Sequence, residues 1–136
     1  MLIIMLPQDP HEIFSPEWLD RHFSTQRSTD FFEALYGNAD DAAFDIKLAF
    51  IGAVEEQLNF EFRLIQRPEK CLACNLTYGL PNVFTRHPVI NIPGLVADVA
   101  LALDVPADRL QWKLGLTEAG RSDLHTIPLT LTIRPE

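Results

Sequence analysis

Cysteine is scarce in this sequence, with two residues in 136, Cys71 and Cys74. That rules out the disulfide framework with which small secreted domains replace a core. Basic charge is also short, with 11 Lys and Arg against 19 Asp and Glu and a net charge of −8. A broad grip on phosphate backbones or anionic lipid needs clustered cations, so neither a nucleic-acid partner nor a membrane is expected. No apolar run approaches the roughly 20 residues that span a bilayer. The opening stretch Met1-Leu2-Ile3-Ile4-Met5-Leu6 stops at Pro7 and has no basic residues before it, so it does not read as a secretory signal. It reads instead as part of an apolar N-terminal arm over residues 1–14, and the cytoplasm is the expected location. Internal repeats and low-complexity tracts are absent as well.

What is present reads as one domain over residues 1–136. Apolar residues make up 47% of the chain and charged residues 22%, ordinary globular proportions and enough for a core. Ser15-Pro16-Glu17-Trp18 is a helix opening, with a serine cap, proline in the first turn and an acid behind it, running to about Phe23. A second helix is expected from near Ser28, with Phe31, Phe32, Leu35 and Tyr36 on one face and Gly37 ending it. Phe44, Ile46, Leu48 and Phe50 then alternate with polar or small residues, as do Leu58, Phe60, Phe62 and Leu64. Period two over two runs linked through Gly52 to Glu56 predicts an antiparallel hairpin with one face buried.

A third strand is expected over Cys71–Tyr78, and a long apolar loop over residues 79–92. Asn91 reads as the cap of a helix carrying Leu95, Val96, Val99, Ala100 and Leu103. A closing hairpin joins Leu110–Leu116 to Ile127–Ile133 through a polar link, Thr117 to Asp123. The expected fold is therefore α+β, in the order α-βββ-α-ββ, with a mainly antiparallel five-stranded sheet and helices packed on one face. Whether the last two strands join the first three in one sheet stays open at this stage.

Four chemistries compete for the functional residues. Cys71-x2-Cys74 followed by His87 is half of a zinc signature. The metal candidates are Cys71, Cys74 and His87, with His125, His11 or His22 as a fourth ligand, and the second close pair of donors is missing. Dithiol redox use needs the two sulfurs together. An extended strand holds residues three apart roughly 10 Å from each other, beyond the 4.4–6.8 Å a disulfide tolerates. Extended backbone from Arg67 to Gly79 thus predicts splayed thiols, with Cys74 a small core residue and no cofactor, zinc being the alternative. Val99 to Trp112 has the spacing of a helix-turn-helix, yet the strict alternation of Leu110 to Leu116 favours a strand. The sequence contains no serine elbow, glycine-rich phosphate loop or His-Glu-x-x-His helix, so it names no reaction and points away from an enzyme.

Binding is the remaining class. The order of elements resembles that of the small acidic secretion chaperones of type III systems, which are dimers that wrap segments of partner proteins; their final helix has no counterpart here. The resemblance implies a protein partner and a homodimer, and transfers no residues. The expected function is protein–protein binding of adaptor or assembly-chaperone type. Its expected surface is Leu80, Val83, Phe84, Arg86 and His87 together with the arm Met1–Leu6, where large apolar side chains fall outside the clear elements. A metal-binding or thiol-redox protein using Cys71, Cys74 and His87, and a small enzyme of unknown reaction, are the alternatives.

Overall fold

Two serines start the helical layer. Ser15 Oγ accepts from the Trp18 N–H at 3.2 Å and opens α2 (Pro16–His22), and Ser24 Oγ accepts from the Arg27 N–H at 3.3 Å and opens α3 (Thr25–Tyr36). Each supplies an acceptor to a first-turn N–H that the helix itself cannot satisfy. A single turn, α1 (Pro10–Ile13), precedes them. Gly37 closes α3 at φ 80°, a left-handed conformation that glycine adopts without a Cβ penalty. The computed structural model describes residues 10–37, 44–70 and 80–134.

The alternating runs form strands β1 (Phe44–Val54) and β2 (Gln57–Gln66). Ile46 lies opposite Leu64, Leu48 opposite Phe62 and Phe50 opposite Phe60, with a bulge between Phe50 and Gly52. A two-residue turn at Glu55-Glu56 joins the strands, with Glu55 at φ 56°. Next come α4 (Leu80–Arg86) and α5 (Ile92–Leu103), then a 3-10 turn (Ala107–Arg109) leading into β3 (Leu110–Leu114), β4 (Glu118–Arg121) and β5 (Leu124–Ile133).

All five strands belong to one antiparallel sheet of order β1-β2-β5-β3, with β4 also paired to β5. The β2–β5 pairing sets Leu58 against Leu131, Phe60 against Leu129 and Phe62 against Ile127. That register joins the early hairpin to the last strands and answers the question the sequence left open. Because side chains alternate in direction along a strand, these residues share one face. Rings from the helices and the turns that join them pack against that face: Phe14 on Phe60 at 5.2 Å, Phe23 on Phe62 at 5.3 Å, Phe32 on Phe44 at 5.0 Å and Phe84 on Phe62 at 5.3 Å. Burying side chains of this size stabilises the fold by roughly 1.5–3 kcal/mol each, so the aromatic layer dominates the core.

The expected α+β class with a five-stranded antiparallel sheet is the one observed, with differences in which segments supply the strands. The proposed strand at Cys71–Tyr78 lies outside the described residues. Among those described, the fifth strand is β4, drawn from the link expected to be only polar turn. It extends the β5 hairpin while leaving Leu116 81% exposed just before it. The stretch expected as a loop over residues 79–92 is helical from Leu80 to Arg86. Pro81 sits in the first turn of α4, where its missing N–H would have no helical partner anyway. Thr85 Oγ1 donates back to the Pro81 carbonyl at 2.7 Å. The helix α5 is capped as expected, with Asn91 Oδ1 accepting from the Gly94 N–H at 3.2 Å. Among the described residues no helix is long and apolar enough to cross a membrane.

Candidate binding groove beside β1

β1 ends the strand order, so one of its long sides has no strand paired to it among the described residues. The backbone N–H of Ile46 donates to Ser28 Oγ on α3 at 3.0 Å, and Ser28 is fully buried. Ile46 therefore turns its backbone groups away from β2 and toward the outer side. Backbone direction alternates along an antiparallel strand, so Leu48 and Phe50 face outward as well, while Lys47 and Ala49 bond to β2. Ser28 covers the edge at Ile46. Beyond it, among the described residues, the outward groups of Leu48 and Phe50 meet no hydrogen-bonding partner.

A groove of about 760 Å³ lies against this uncovered stretch. Its floor is apolar, made by Leu19 of α2 and by Phe14 and Phe23 on either side of that helix, with Leu48 and Phe50 from β1. One rim carries Glu17 and Asp20 of α2, and the other carries Lys47 of β1 and Arg63 of β2. Arg63 is already engaged with Glu61, Nε to Oε2 at 2.7 Å. Lys47 is exposed and makes no ion pair among the described residues. His11 stands at the end of the groove, its ring 4.9 Å from that of Phe50. The groove thus combines unsatisfied strand backbone, an apolar floor and rims of opposite charge. Its volume falls within the roughly 300–1,000 Å³ typical of ligand clefts.

The residues chosen from the sequence are placed elsewhere. Leu80 (8% exposed) and Phe84 (fully buried) belong to the core, Phe84 packing edge-on against Phe31 and Phe62. Val83 is half-buried and packs against the same core, so of the described residues in the expected binding surface Arg86 alone stays exposed. The correction has a simple cause: a seven-residue helix turns its i and i+4 side chains, Leu80 and Phe84, to one side, and that side is the core. His87 is half-buried, its ring 4.8 Å from Phe31 and its Nδ1 accepting from the Val89 N–H at 3.2 Å. It shapes the turn into α5.

Cys71 and Cys74 lie outside the described residues, as does the arm Met1–Leu6. The other histidines proposed as a fourth ligand are dispersed. His125 is buried on β5 opposite Leu64, His11 is beside Phe50, and His22 stacks on Trp18 at 4.1 Å with Nδ1 3.1 Å from Asp98 Oδ2. Among the described residues no group of three or more His, Cys, Asp or Glu is gathered as a metal site would require. The helix-turn-helix spacing also resolves, because Leu110–Leu114 is a strand paired to β5 rather than a reading helix.

Sequence reasoning did not reach the groove because it depends on which strand ends the sheet, a tertiary fact. One signal was present. Lys47 is the charged residue within the run Ile46–Phe50, and charged residues, lysine above all, are a common device for guarding sheet edges. No family model, curated protein or solved structure matches this chain, so the geometry of the groove carries the functional argument alone.

Proposed function

We propose that this chain is a protein-binding module that takes up a segment of a partner protein along the outer side of β1. One observation carries the reading: among the described residues β1 ends the sheet, and its outward backbone groups at Leu48 and Phe50 open onto an apolar groove. Strand addition of this kind draws affinity from main-chain hydrogen bonds and selectivity from the pockets that receive alternate side chains. The binding role expected from the sequence is kept, and its surface moves from Leu80–His87 to Lys47–Phe50. The reading places the protein in the cytoplasm, where partner segments emerge unfolded or extended. It asks for no metal, cofactor or reaction.

A selection of displayed random peptides against the full chain tests it. Asp20 is an exposed helical residue lining the groove, and Asp20→Trp adds bulk there without replacing a core side chain. Peptides that use the groove should lose about tenfold or more in affinity for this variant, equivalent to about 1.4 kcal/mol. They should bind normally to Arg121→Trp, which adds the same bulk at an exposed position on β4. Selected peptides indifferent to Asp20→Trp would reject the groove as the binding surface.

A further inference from the structure

Resting on that reading, we infer the chemistry of the partner segment: an extended strand with apolar side chains toward the helices and a carboxylate opposite Lys47. Three observations lead there. First, the open stretch offers backbone donors and acceptors two residues apart, at Leu48 and Phe50, which only another extended backbone can match in register. Second, the two faces of such a strand would meet different surroundings. On the helical side lies the floor of Phe14, Leu19 and Phe23; on the opposite side, Lys47 projects among exposed and half-buried residues of the sheet surface. An incoming strand alternates its side chains between these two sides, so an apolar–acidic alternation satisfies both at once.

Third, among the described residues Lys47 is the cation on that rim without an ion pair, while Arg63 is held by Glu61 at 2.7 Å. A carboxylate directly across from Lys47 forms a cross-strand ion pair, while a lysine there would face a like charge. The net charge of −8 gives an acidic segment no long-range attraction to the molecule as a whole. The contact at Lys47 therefore acts locally, fixing register and choice of partner rather than overall affinity. Slipping the strand by one residue would put its carboxylates on the apolar floor beside Glu17 and Asp20, so the alternation specifies the register.

Two other occupants would give different results. A second copy of this chain would pair β1 with β1 and make occupation of the edge depend on concentration. A segment of the same chain outside the described residues, 1–9 or 71–79, would occupy it at every concentration.

The probes are two short peptides, one alternating valine with glutamate and one alternating valine with lysine, titrated into the full chain at physiological salt. The glutamate peptide should bind more tightly by about fivefold, the scale of one cross-strand charge pair. Lys47→Glu should abolish or reverse that preference. Binding of the glutamate peptide should also slow exchange of the Leu48 and Phe50 amides. Equal binding of both peptides, with loss of both in Asp20→Trp, would overturn the charge assignment while leaving strand addition at the groove intact. Failure of either peptide to protect the Leu48 and Phe50 amides, with library-selected peptides also indifferent to Asp20→Trp, would overturn both. Amide protection in the free protein would overturn the partner-strand inference in favour of a second copy if it grows as the mass doubles from 15.4 kDa. Protection independent of concentration would overturn it in favour of a segment of the same chain outside the described residues, residues 1–9 or 71–79.

Discussion

At one end of the sheet β1 runs for eleven residues beside a groove; at the other, the outer side of β5 is divided between β3, five residues long, and β4, four. The divided end carries the features that stop sheets from adding strands. Its strands are short, a turn separates them, and the backbone between them is packed hard against β5. The Gly115 N–H donates to the Pro128 carbonyl at 2.7 Å, and a Cβ at Gly115 would come within 2.6 Å of Pro128 Cγ. The β1 end has Ser28 over Ile46, Lys47 next to it and a bulge between Phe50 and Gly52, and among the described residues no strand pairs with its outer side. The proposed strand addition uses the β1 side alone, where Lys47 to Phe50 line the groove.

The comparison can be broken at its base. Phe62 lies in β2 between the two ends, is fully buried, and meets both Phe23 and Phe84 at 5.3 Å. Phe62→Ala should destabilise the fold by about 3–5 kcal/mol, measured by urea unfolding, because the rigid sheet leaves a cavity. Ser28→Ala attacks the closed part of the β1 edge alone. It strands a buried N–H at Ile46 and should cost about 1–3 kcal/mol in the same assay. A smaller loss than that would mean the edge at Ile46 is wetter than its burial implies.

At the blunted end, Gly115→Ala forces β3 away from Pro128 and should destabilise by about 1–3 kcal/mol. Lys47→Glu should change stability by less than about 0.5 kcal/mol, since the side chain is exposed and makes no ion pair among the described residues. A mutation silent in folding yet decisive for peptide choice would separate the binding edge from the scaffold.

The smallest expected effect lies at the β4–β5 turn. Arg121 donates to both carboxylate oxygens of Asp123 at 2.9 Å. This hydrogen bonding, aided by the guanidinium charge and opposed by desolvation, holds the Asp123 carboxyl below the usual aspartate range. Its folded pKa is thus depressed, so any contribution to stability is present above the unfolded value and fades as pH falls through the folded one. The pair is solvent-exposed, so unfolding curves should barely register it. A carbon-detected NMR titration should find Asp123 titrating below the usual aspartate range.

Local chemistry made much of the fold legible in advance. The alternation of Phe44 to Leu64 identified the hairpin and its buried face, and Ser15, Gly37 and Asn91 marked helix ends where caps are observed. The start of α3 was misplaced at Ser28 because two serines stood close together. Ser24 caps the helix, while Ser28 faces inward to the edge of β1, a role decided by tertiary contact. α4 was missed because seven residues with a proline carry too little periodicity to distinguish a helix from an apolar loop. The same ambiguity made Leu80 and Phe84 look like surface. β4 escaped notice because Glu118–Arg121 is exposed throughout and has no buried face to alternate. The groove was the least legible feature, since nothing within β1 itself records which of its sides is paired.

Residue-resolved hydrogen exchange of the free full-length chain tests the central claim most directly, because neighbouring amides of one strand serve as each other's control. The account predicts slow exchange at Lys47 and Ala49, which bond to β2, and at Ile46, which bonds to Ser28, with fast exchange at Leu48 and Phe50. Uniform protection from Ile46 through Phe50 would contradict it, because the outer side of β1 would then already be occupied.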